Sequence, residues 1–436
     1  MDARKEALRL LLRAETDGVF VNLLLPERDA DGDARERALL TALLYGVTER
    51  LMTLDYATAV FTSRPASDLT PHTRCLFRMG LYQLYFMDKI PRFAAVSSTV
   101  ALAKDRGEAA LLNACLRKAA ETPLPLPPCE KNTARYFSVA HSFPLQTVKF
   151  FISLYGESET EALLKAYNEP PTLTLRVNTA KIGRNDYLSL LLDAGIEAYP
   201  TRYSPFGVKL PTSSDPARLP LFSDGGFFVQ DEASQIEAVA LGAQKGDRIL
   251  DACAAPGGKS FSAAIEVGIS GSVLSSELHA SKASLIESGA DRLGIKNITV
   301  AVRDAGEPLP EAERGAYDRV IVDAPCSGLG VFGKKPDLRY LSLSRLDELC
   351  PIQKAVLQSS ADAVRIGGTL VYSTCTLSPK ENEEQVLDFL SLRKDFVPVD
   401  FTAGELASQN GMMTLLPHKH GTDGFFIAKL QRKPDR

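Results

Sequence analysis

Two cysteines each follow an apolar, β-rich run and lie in a short turn. Cys326 belongs to the sequence DAPCSG at residues 323–328, and Cys375 belongs to YSTCT at residues 372–376. Upstream, residues 251–260 form the glycine-rich sequence DACAAPGGKS. An ionised thiol is a nucleophile, and a glycine-rich turn that opens a helix offers backbone N–H groups to an anionic ligand. The combination predicts thiol chemistry beside a bound nucleotide-like cofactor.

The glycine-rich turn is compatible with two cofactors. Its end, Gly258-Lys259-Ser260, matches the end of a P-loop, but that pattern requires a glycine five residues before Gly258, where Cys253 stands. What remains is a strand, a Pro-Gly-Gly turn and a helix N-terminus, which can hold the carboxylate end of S-adenosylmethionine as readily as a pyrophosphate. We therefore predict an S-adenosylmethionine site. A nucleotide triphosphatase stays as an alternative that ATP binding would reveal.

Two acidic residues end successive predicted strands after this turn. Glu277 ends the next strand, at about the distance where an acid binds ribose hydroxyls in nucleotide-binding folds. Asp304 ends the third strand, where a carboxylate could face the adenine side. Each acid alone is weak evidence, because strand-terminal acids are often solvated. Their serial placement favours a cofactor site.

The cysteines suggest methylation of carbon 5 of cytosine. That carbon is too poor a nucleophile to accept a methyl group unaided, but a thiolate that adds to carbon 6 converts the ring into a reactive enamine. Asp323 precedes Cys326 by three residues and could neutralise charge at ring N3. A second sulfur could help to remove the C5 proton and expel the first thiol. From the residues alone, either Cys326 or Cys375 could be the nucleophile.

The chain needs several domains to position these residues. Residues 1–125 carry apolar residues at helical spacing and predict an all-α domain, with helices at 4–14, 35–52, 73–87, 94–103 and 109–120. The proline-rich stretch at 123–128 predicts a linker. Residues 130–235 predict a small α+β module, with helices at 145–155 and 159–167 and a strand at 173–178. Residues 236–436 predict an α/β Rossmann-like domain, because strands and helices alternate up to a helix at 381–392 and a closing strand at 424–430.

Composition limits the possible partners. The 436 residues are 45% hydrophobic, with a net charge of −4 and a pI near 5.9, so any nucleic-acid site must be a local basic patch. The candidate patch is Lys334, Lys335 and Arg339, although such runs are often solvated loops. Seven cysteines without a zinc-type spacing argue against a metal site and against disulfides. The absence of a signal-like start and of an 18-residue apolar run predicts a cytoplasmic protein without membrane partners.

Residues 251–260, 323–330 and 372–383 resemble the signature motifs of the Sun-type RNA cytosine-5 methyltransferases. The resemblance implies S-adenosylmethionine as cofactor. It also implies that Cys375 attacks the base, that Cys326 serves product release, and that Asp323 contacts cytosine N3. The cofactor contacts that it implies are Cys253, Ala254, Ala255, Pro256, Gly257, Gly258, Lys259, Glu277, Asp304 and Asp323. Two positions depart from the family pattern: Glu277 replaces the usual aspartate, and Gly289 lies where asparagine is common.

The N-terminal helices resemble a NusB-type RNA-binding domain through residues 44–47, 78–84, 90–96 and 113–117. A NusB-like domain fused to this methyltransferase is the arrangement of the bacterial RsmB (Sun) group, which modifies 16S ribosomal RNA. The resemblance therefore implies 16S rRNA as the partner.

Two further functions stay open at this point. The same chemistry could act on DNA or tRNA, which a labelled methyl-transfer assay with exchanged substrates would reveal. The chain could also be a non-catalytic RNA-binding assembly factor, which absence of S-adenosylmethionine binding would favour.

Overall fold

The computed structural model describes residues 2–24, 33–211 and 215–434. The chain forms two units that are each continuous in space. Unit 1 is Met1–Glu169 with Lys334–Leu341, and unit 2 is Pro170–Gly333 with Ser342–Arg436. Because residues 334–341 belong to unit 1, the chain leaves unit 2 once and returns to it.

Unit 1 is helical within its described residues. Its helices are α1 (Ala3–Asp17), α2 (Ala34–Glu49), α3 (Leu51–Thr62), α4 (Pro71–Phe86), α5 (Arg92–Val100), α6 (Arg106–Ala120), α7 (Thr133–His141) and α8 (Leu145–Ala166). Leucines at helical spacing on α1, α2 and α4 supply the buried core, as in Leu10, Leu43 and Leu76. The helix expected at 35–52 is wrong at its end: it stops at Glu49, and α3 begins directly after the non-helical Arg50.

The segment expected to form one α+β module is divided between the units. Helices α7 and α8 belong to unit 1, and the strands belong to unit 2. The two helices expected at 145–155 and 159–167 are confirmed as the two halves of α8, which a kink at Gly156 separates; its φ of 77° is not helical. The small sheet has the order β2-β3-β1-β4 and is accompanied by α9. Its elements are β1 (Leu173–Val177), α9 (Arg184–Asp193), β2 (Tyr199–Pro200), β3 (Gly207–Leu210) and β4 (Phe227–Val229).

A second, larger sheet dominates unit 2. Its strands are β5 (Arg248–Asp251), β6 (Ser272–Glu277), β7 (Ile298–Val302), β8 (Tyr317–Asp323), β9 (Val364–Thr374), β10 (Phe396–Pro398), β13 (Met412–Leu415) and β14 (Phe425–Arg432); a separate pair is β11 (Thr402–Ala403) and β12 (Leu406–Ala407). The helices are α10 (Glu232–Leu241), α11 (Gly258–Val267), α12 (Ala280–Leu293), α13 (Arg345–Ala363), α14 (Glu383–Leu392) and α15 (Pro417–His420).

The order of the large sheet places a ligand-binding edge. The order is β10-β14-β9-β8-β5-β6-β7, with β13 on β14. Strands β5 to β9 are parallel, and β14 runs antiparallel to β9. The chain adds strands outward from β5 through β6 to β7 and then crosses to β8 and β9 on the other side of β5. The order in which strands are added therefore reverses between β5 and β8, although both strands run parallel. Ligands bind beyond the carboxyl ends of strands at such a switch point.

This α/β architecture confirms the predicted fold class, and one boundary matters for the site. The helix expected to start at 381 begins at Glu383, so Glu381 and Asn382 lie in the preceding turn. Across the described ranges, no helix combines the length and the apolar character needed to cross a bilayer.

Candidate active site

The carboxyl ends of five parallel strands, β5 to β9, meet at one cavity of about 310 Å³ in unit 2. The sequence-predicted residues that line it are Cys253, Ala255, Glu277, Asp304, Asp323, Cys326 and Cys375. They come from five separate stretches of sequence, and the parallel sheet brings them to one edge. The predicted residues Ala254, Pro256, Gly257, Gly258 and Lys259 belong to the same turn but are not among the lining residues.

The two cysteines are neighbours in this cavity. The Sγ atoms of Cys326 and Cys375 lie 3.2 Å apart, within hydrogen-bonding distance for sulfur. The hydrogen bond to Cys375 raises the pKa of the Cys326 thiol well above its usual value. Burial, and the negative charges of Glu381 and Asp323, act in the same direction. Cys326 therefore keeps its proton at neutral pH and can donate it toward the Cys375 sulfur.

Two glycines hold the turn that carries Cys375. The N–H of Gly330 donates to the Cys375 carbonyl at 3.0 Å, and the N–H of Gly424 donates to the Gly330 carbonyl at 2.8 Å. A Cβ atom on Gly330 would lie only 1.9 Å from the Gly424 carbonyl oxygen. No side chain fits there, so the close backbone approach requires glycine.

Lys259 faces carboxylates inside the protein. Its Nζ lies 2.5 Å from Asp323 Oδ2 and 3.3 Å from Glu237 Oε2, and it lies 5.2 Å from the centre of the Phe425 ring. Ser373 donates to the other Asp323 oxygen at 3.2 Å. Because two carboxylates already neutralise the ammonium group, the arrangement argues against the phosphate-binding role that a P-loop lysine would have.

A buried polar chain supports the glycine-rich turn. Asp251 is fully buried and accepts a 2.6 Å hydrogen bond from Ser260, which in turn accepts one of 2.7 Å from Ser275. Burial raises the pKa of Asp251 to about 7. Burial likewise raises the pKa of the Cys253 thiol, so this sulfur is a neutral lining group. These residues shape the turn and do not resemble a nucleophile with its base.

The cavity fits a nucleoside-type cofactor in the chemistry of its lining. Glu277 accepts hydrogen bonds from the N–H groups of Ala255 at 3.4 Å and His279 at 3.1 Å, which fix its carboxylate at the end of β6. Asp304 is exposed at the end of β7, and its Oδ1 accepts from the Gly306 N–H at 2.8 Å. Carboxylates suit hydroxyl and amine donors, and the apolar part of the lining suits a ring. The residues present therefore fit S-adenosylmethionine.

The departure at Gly289 has a local explanation. A Cβ atom at this position would lie 2.4 Å from the Phe261 ring, which occupies the space that a larger residue would need. Phe261 also contacts Phe228 edge to face, with ring centroids 5.7 Å apart. Aromatic packing thus replaces a polar side chain here.

The predicted RNA-binding residues have different surroundings. Lys334 and Lys335 are exposed on unit 1. Arg339 is instead fully buried there, and its guanidinium donates to Asn168 Oδ1 at 2.7 Å and to the Tyr167 carbonyl at 2.9 Å. The expectation that Arg339 lies on a surface loop is wrong, because backbone and side-chain acceptors distant in sequence enclose it.

Sequence reasoning missed part of the cavity lining and the partner of Lys259. The missed lining residues include His279, Lys282, Ile352 and Val356. Helix α13 contributes Ile352 and Val356, and a helix that reaches the sheet edge gives no local motif. In the sequence, Glu237 is one polar position on an amphipathic helix and carries no motif. Only its burial beside Lys259 distinguishes it.

Three families match successive parts of the chain. Residues 1–121 match the NusB family, and residues 143–215 match a family described as the RsmF/B-like methyltransferase ferredoxin-like domain. Residues 238–431 match the family described as 16S rRNA methyltransferase RsmB/F. The third match contains the strands, both cysteine turns and the cavity.

Relatives extend the similarity to the whole chain. A protein of Bacillus subtilis named as a probable ribosomal RNA small subunit methyltransferase B is 36% identical, over 99% of this chain and 98% of the relative. The crystal structure of NSun6 from Pyrococcus horikoshii with SFG is 25% identical with a TM-score of 0.60, over 68% of this chain and all of that one. The crystal structure of PH0851 shares the fold over 98% of this chain and 99% of that one, with a TM-score of 0.80 and 24% identity.

Proposed function

This chain belongs to the RsmB/F family of 16S rRNA methyltransferases, and on that premise we propose that it methylates carbon 5 of a cytidine through a covalent cysteine adduct. The observation that carries the proposal is the pair of sulfurs, 3.2 Å apart, at the wall of the cavity. A single thiol would suffice for attack. The second, protonated thiol supplies a group for the later steps.

The Cys375 thiolate forms a bond to C6 of a cytidine that has been turned out of its stack into the cavity. The electron pair of the C5–C6 double bond moves into the ring, and C5 becomes nucleophilic. Cys326, which keeps its proton, donates a hydrogen bond to the attacking sulfur and remains outside the reaction at this stage.

Asp323 and Lys259 act on the opposite side of the base. Attack at C6 places negative charge on N3, and a proton or positive charge held there lowers the barrier. Asp323 lies at the end of β8 with 30% of its side chain exposed, and the buried Lys259 ammonium stands behind it at 2.5 Å. An ionised carboxylate can only accept, so in this proposal the proton at N3 comes from the Lys259 ammonium and is passed through Asp323 as negative charge develops on the ring.

The turn 253–259, Glu277 and Asp304 would hold S-adenosylmethionine, which when bound supplies a methyl group on a positively charged sulfur. Glu277 binds donors of the nucleoside through the oxygens that Ala255 and His279 orient. The N-terminus of α11 offers N–H groups to a carboxylate. These residues bind and orient the methyl donor.

Product release returns the enzyme to its starting state. The proton on C5 leaves, the C6–Sγ bond of Cys375 breaks, and the electron pair of the C5–H bond restores the C5–C6 double bond. Cys326 lies at hydrogen-bonding distance from the departing sulfur, donates a hydrogen bond to it as it leaves, and holds the water that accepts the C5 proton. Loss of Cys326 should therefore leave the adduct intact.

Trapping on 5-fluorocytidine tests the proposal. Fluorine at C5 cannot leave as a proton does, so 16S rRNA transcribed with 5-fluorocytidine should remain bound to wild-type enzyme in denaturing gels when S-adenosylmethionine is present. Cys375→Ala should form no adduct and no 5-methylcytidine, whereas Cys326→Ala should form adducts with ordinary cytidine. Normal turnover of Cys375→Ala would refute the assignment of the nucleophile. Parallel assays with tRNA and DNA distinguish the remaining substrate classes.

A further inference from the structure

A fully buried carboxylate lies behind the two cysteine turns. Glu381 is 0% exposed and accepts three hydrogen bonds: from the Ser327 N–H at 2.8 Å, from the Ser327 hydroxyl at 2.5 Å and from the Gln353 amide at 2.9 Å. These three donors carry no charge. The site is built from side-chain and backbone donors that converge on one group.

These contacts enclose Cys326 from both sides along the chain. Ser327, which follows it, is held by Glu381 through its N–H and its hydroxyl. Pro325, which precedes it, accepts a 2.9 Å hydrogen bond at its carbonyl from the same Gln353 amide that donates to Glu381. Two connected side chains thus fix the backbone on either side of the Cys326 sulfur.

The same cluster reaches the turn that carries Cys375. The Ser327 hydroxyl lies 2.8 Å from the hydroxyl of Thr376, which directly follows Cys375. Asn382 accepts from Thr374 at 2.5 Å and donates to the Thr376 carbonyl at 3.0 Å. Residues 381 and 382 therefore tie the two turns to each other, and the 3.2 Å distance between the sulfurs depends on that connection.

We propose that Glu381 is a positioning residue for product release, because it holds the 325–327 turn so that Cys326 stays beside the Cys375 sulfur. A purely structural role would be served better by an apolar side chain, since burying a carboxylate carries a large desolvation cost. The donors to its side chain come from the Cys326 turn and from the helix that braces it. The inference rests on the proposed covalent mechanism and adds a residue to it.

The proposal predicts a kinetic signature that general loss of stability would not give. Glu381→Ala removes two hydrogen bonds to the Cys326 turn and one to Gln353, which braces that turn, and a displacement of about 1 Å costs on the order of 100-fold in rate. Steady-state turnover should fall by about that factor, while the first methyl transfer, which depends on Cys375, should stay within about threefold of wild type. Denaturing gels should then show an accumulated enzyme–RNA adduct.

The conservative variant should restore release. In Glu381→Gln the amide oxygen can still accept from the Ser327 N–H and from Gln353. The amide nitrogen can donate to the Ser327 hydroxyl, which remains free to donate to Thr376. Turnover should therefore stay within about fivefold of wild type, without adduct. Glu383→Ala is the matched control, because this neighbouring carboxylate accepts from Thr414 on β13, at 3.1 Å, and has no hydrogen bond to the Cys326 or Cys375 turn within the described residues.

The experiment uses the full chain, 16S rRNA transcribed in vitro and labelled S-adenosylmethionine, with single-turnover and steady-state rates measured beside adduct gels. A burst followed by slow turnover and adduct in Glu381→Ala, absent in Glu383→Ala, supports the proposal. Equal loss of both rates without adduct overturns it. If Glu381→Ala does not fold by circular dichroism, Ser327→Ala decides: adduct supports the proposal, and none overturns it.

In the same gels, Cys326→Ala distinguishes a failure of the covalent mechanism from a failure of the positioning role of Glu381. If Cys326→Ala also forms no adduct, the covalent mechanism itself fails. If it forms adduct and the folded Glu381 and Ser327 variants do not, only the positioning role fails.

Discussion

Replacing Arg339 by alanine tests whether this cation stabilises unit 1 or contacts RNA. Its guanidinium is buried, donates to Tyr167, Asn168 and the Glu49 carbonyl at 2.9, 2.7 and 3.3 Å, and lies 4.3 Å from the centre of the Phe143 ring. Alanine would remove a donor from each of these acceptors, of which the Glu49 carbonyl keeps the Tyr340 hydroxyl, and would open a cavity. We expect a loss of stability in unit 1.

The size of the stability loss expected for Arg339→Ala follows from two opposing effects. Each buried acceptor left without a donor costs about 1 to 3 kcal/mol, and the lost ring contact and packing add to that cost. Burying a charged guanidinium has a desolvation cost, and burial accordingly lowers the pKa of Arg339. Removing the guanidinium also removes this cost, which offsets part of the stability loss. The net expectation is a decrease of about 3 kcal/mol in the free energy of unfolding of unit 1.

Urea unfolding followed by circular dichroism measures this change. Two units need not unfold together, so the loss should be confined to one transition. Lys335→Ala, an exposed neighbour, should change stability by less than about 0.5 kcal/mol. Arg339→Lys should lose most of the stabilisation, because an ammonium cannot reach several acceptors as a planar guanidinium does. The reasoning is refuted if Arg339→Ala unfolds like wild type while its affinity for 16S rRNA falls.

Three other changes have expected outcomes. Lys259→Met should reduce stability by about 3 kcal/mol, because it leaves Glu237 buried without its cation, and adding Glu237→Gln should recover part of the loss in the same urea assay. Gly330→Ala should lower single-turnover methylation at least about 100-fold, since its Cβ would collide with the Gly424 carbonyl under the Cys375 turn. For Asp251, burial raises the folded pKa to about 7, so the unfolded chain ionises first and stability falls as pH rises toward 7. Between pH 5 and pH 8 wild type should therefore lose about 3 kcal/mol more than Asp251→Asn, and equal losses would contradict a protonated Asp251.

The site could be predicted from sequence because parallel strands share one edge. Cys326 and Cys375 each follow a strand-like run, and Glu277 ends another, so an α/β rhythm was enough to place all three together. Predicting that these residues lie close together did not require knowledge of the register of the sheet. The ranking of the two sulfurs came from the family resemblance and stays a prediction, because the residue pattern treats both cysteines alike.

The features that the sequence did not predict depend on contacts between residues that are far apart in the chain. A cluster of cations at 334–339 is typical of a solvated loop, and nothing local shows that carbonyls at 49 and 167 enclose Arg339. The short strand β13 pairs with β14 and has too few residues to give a pattern of its own. Arg50 separates two helices without a glycine or proline, so the apolar periodicity continued across the break.

If one of two thiols 3.2 Å apart is to attack the base and the other is to assist product release, the two need different protonation states. Were both to ionise, like charges in a buried site would repel; were both neutral, neither would attack. The hydrogen bond to Cys375 and burial raise the pKa of Cys326 most, and the charge of Glu381, which also anchors the Cys326 turn, acts in the same direction. The buried Glu381 thus holds Cys326 in place and also favours its protonated form, in agreement with the proposal that Cys375 is the attacking sulfur.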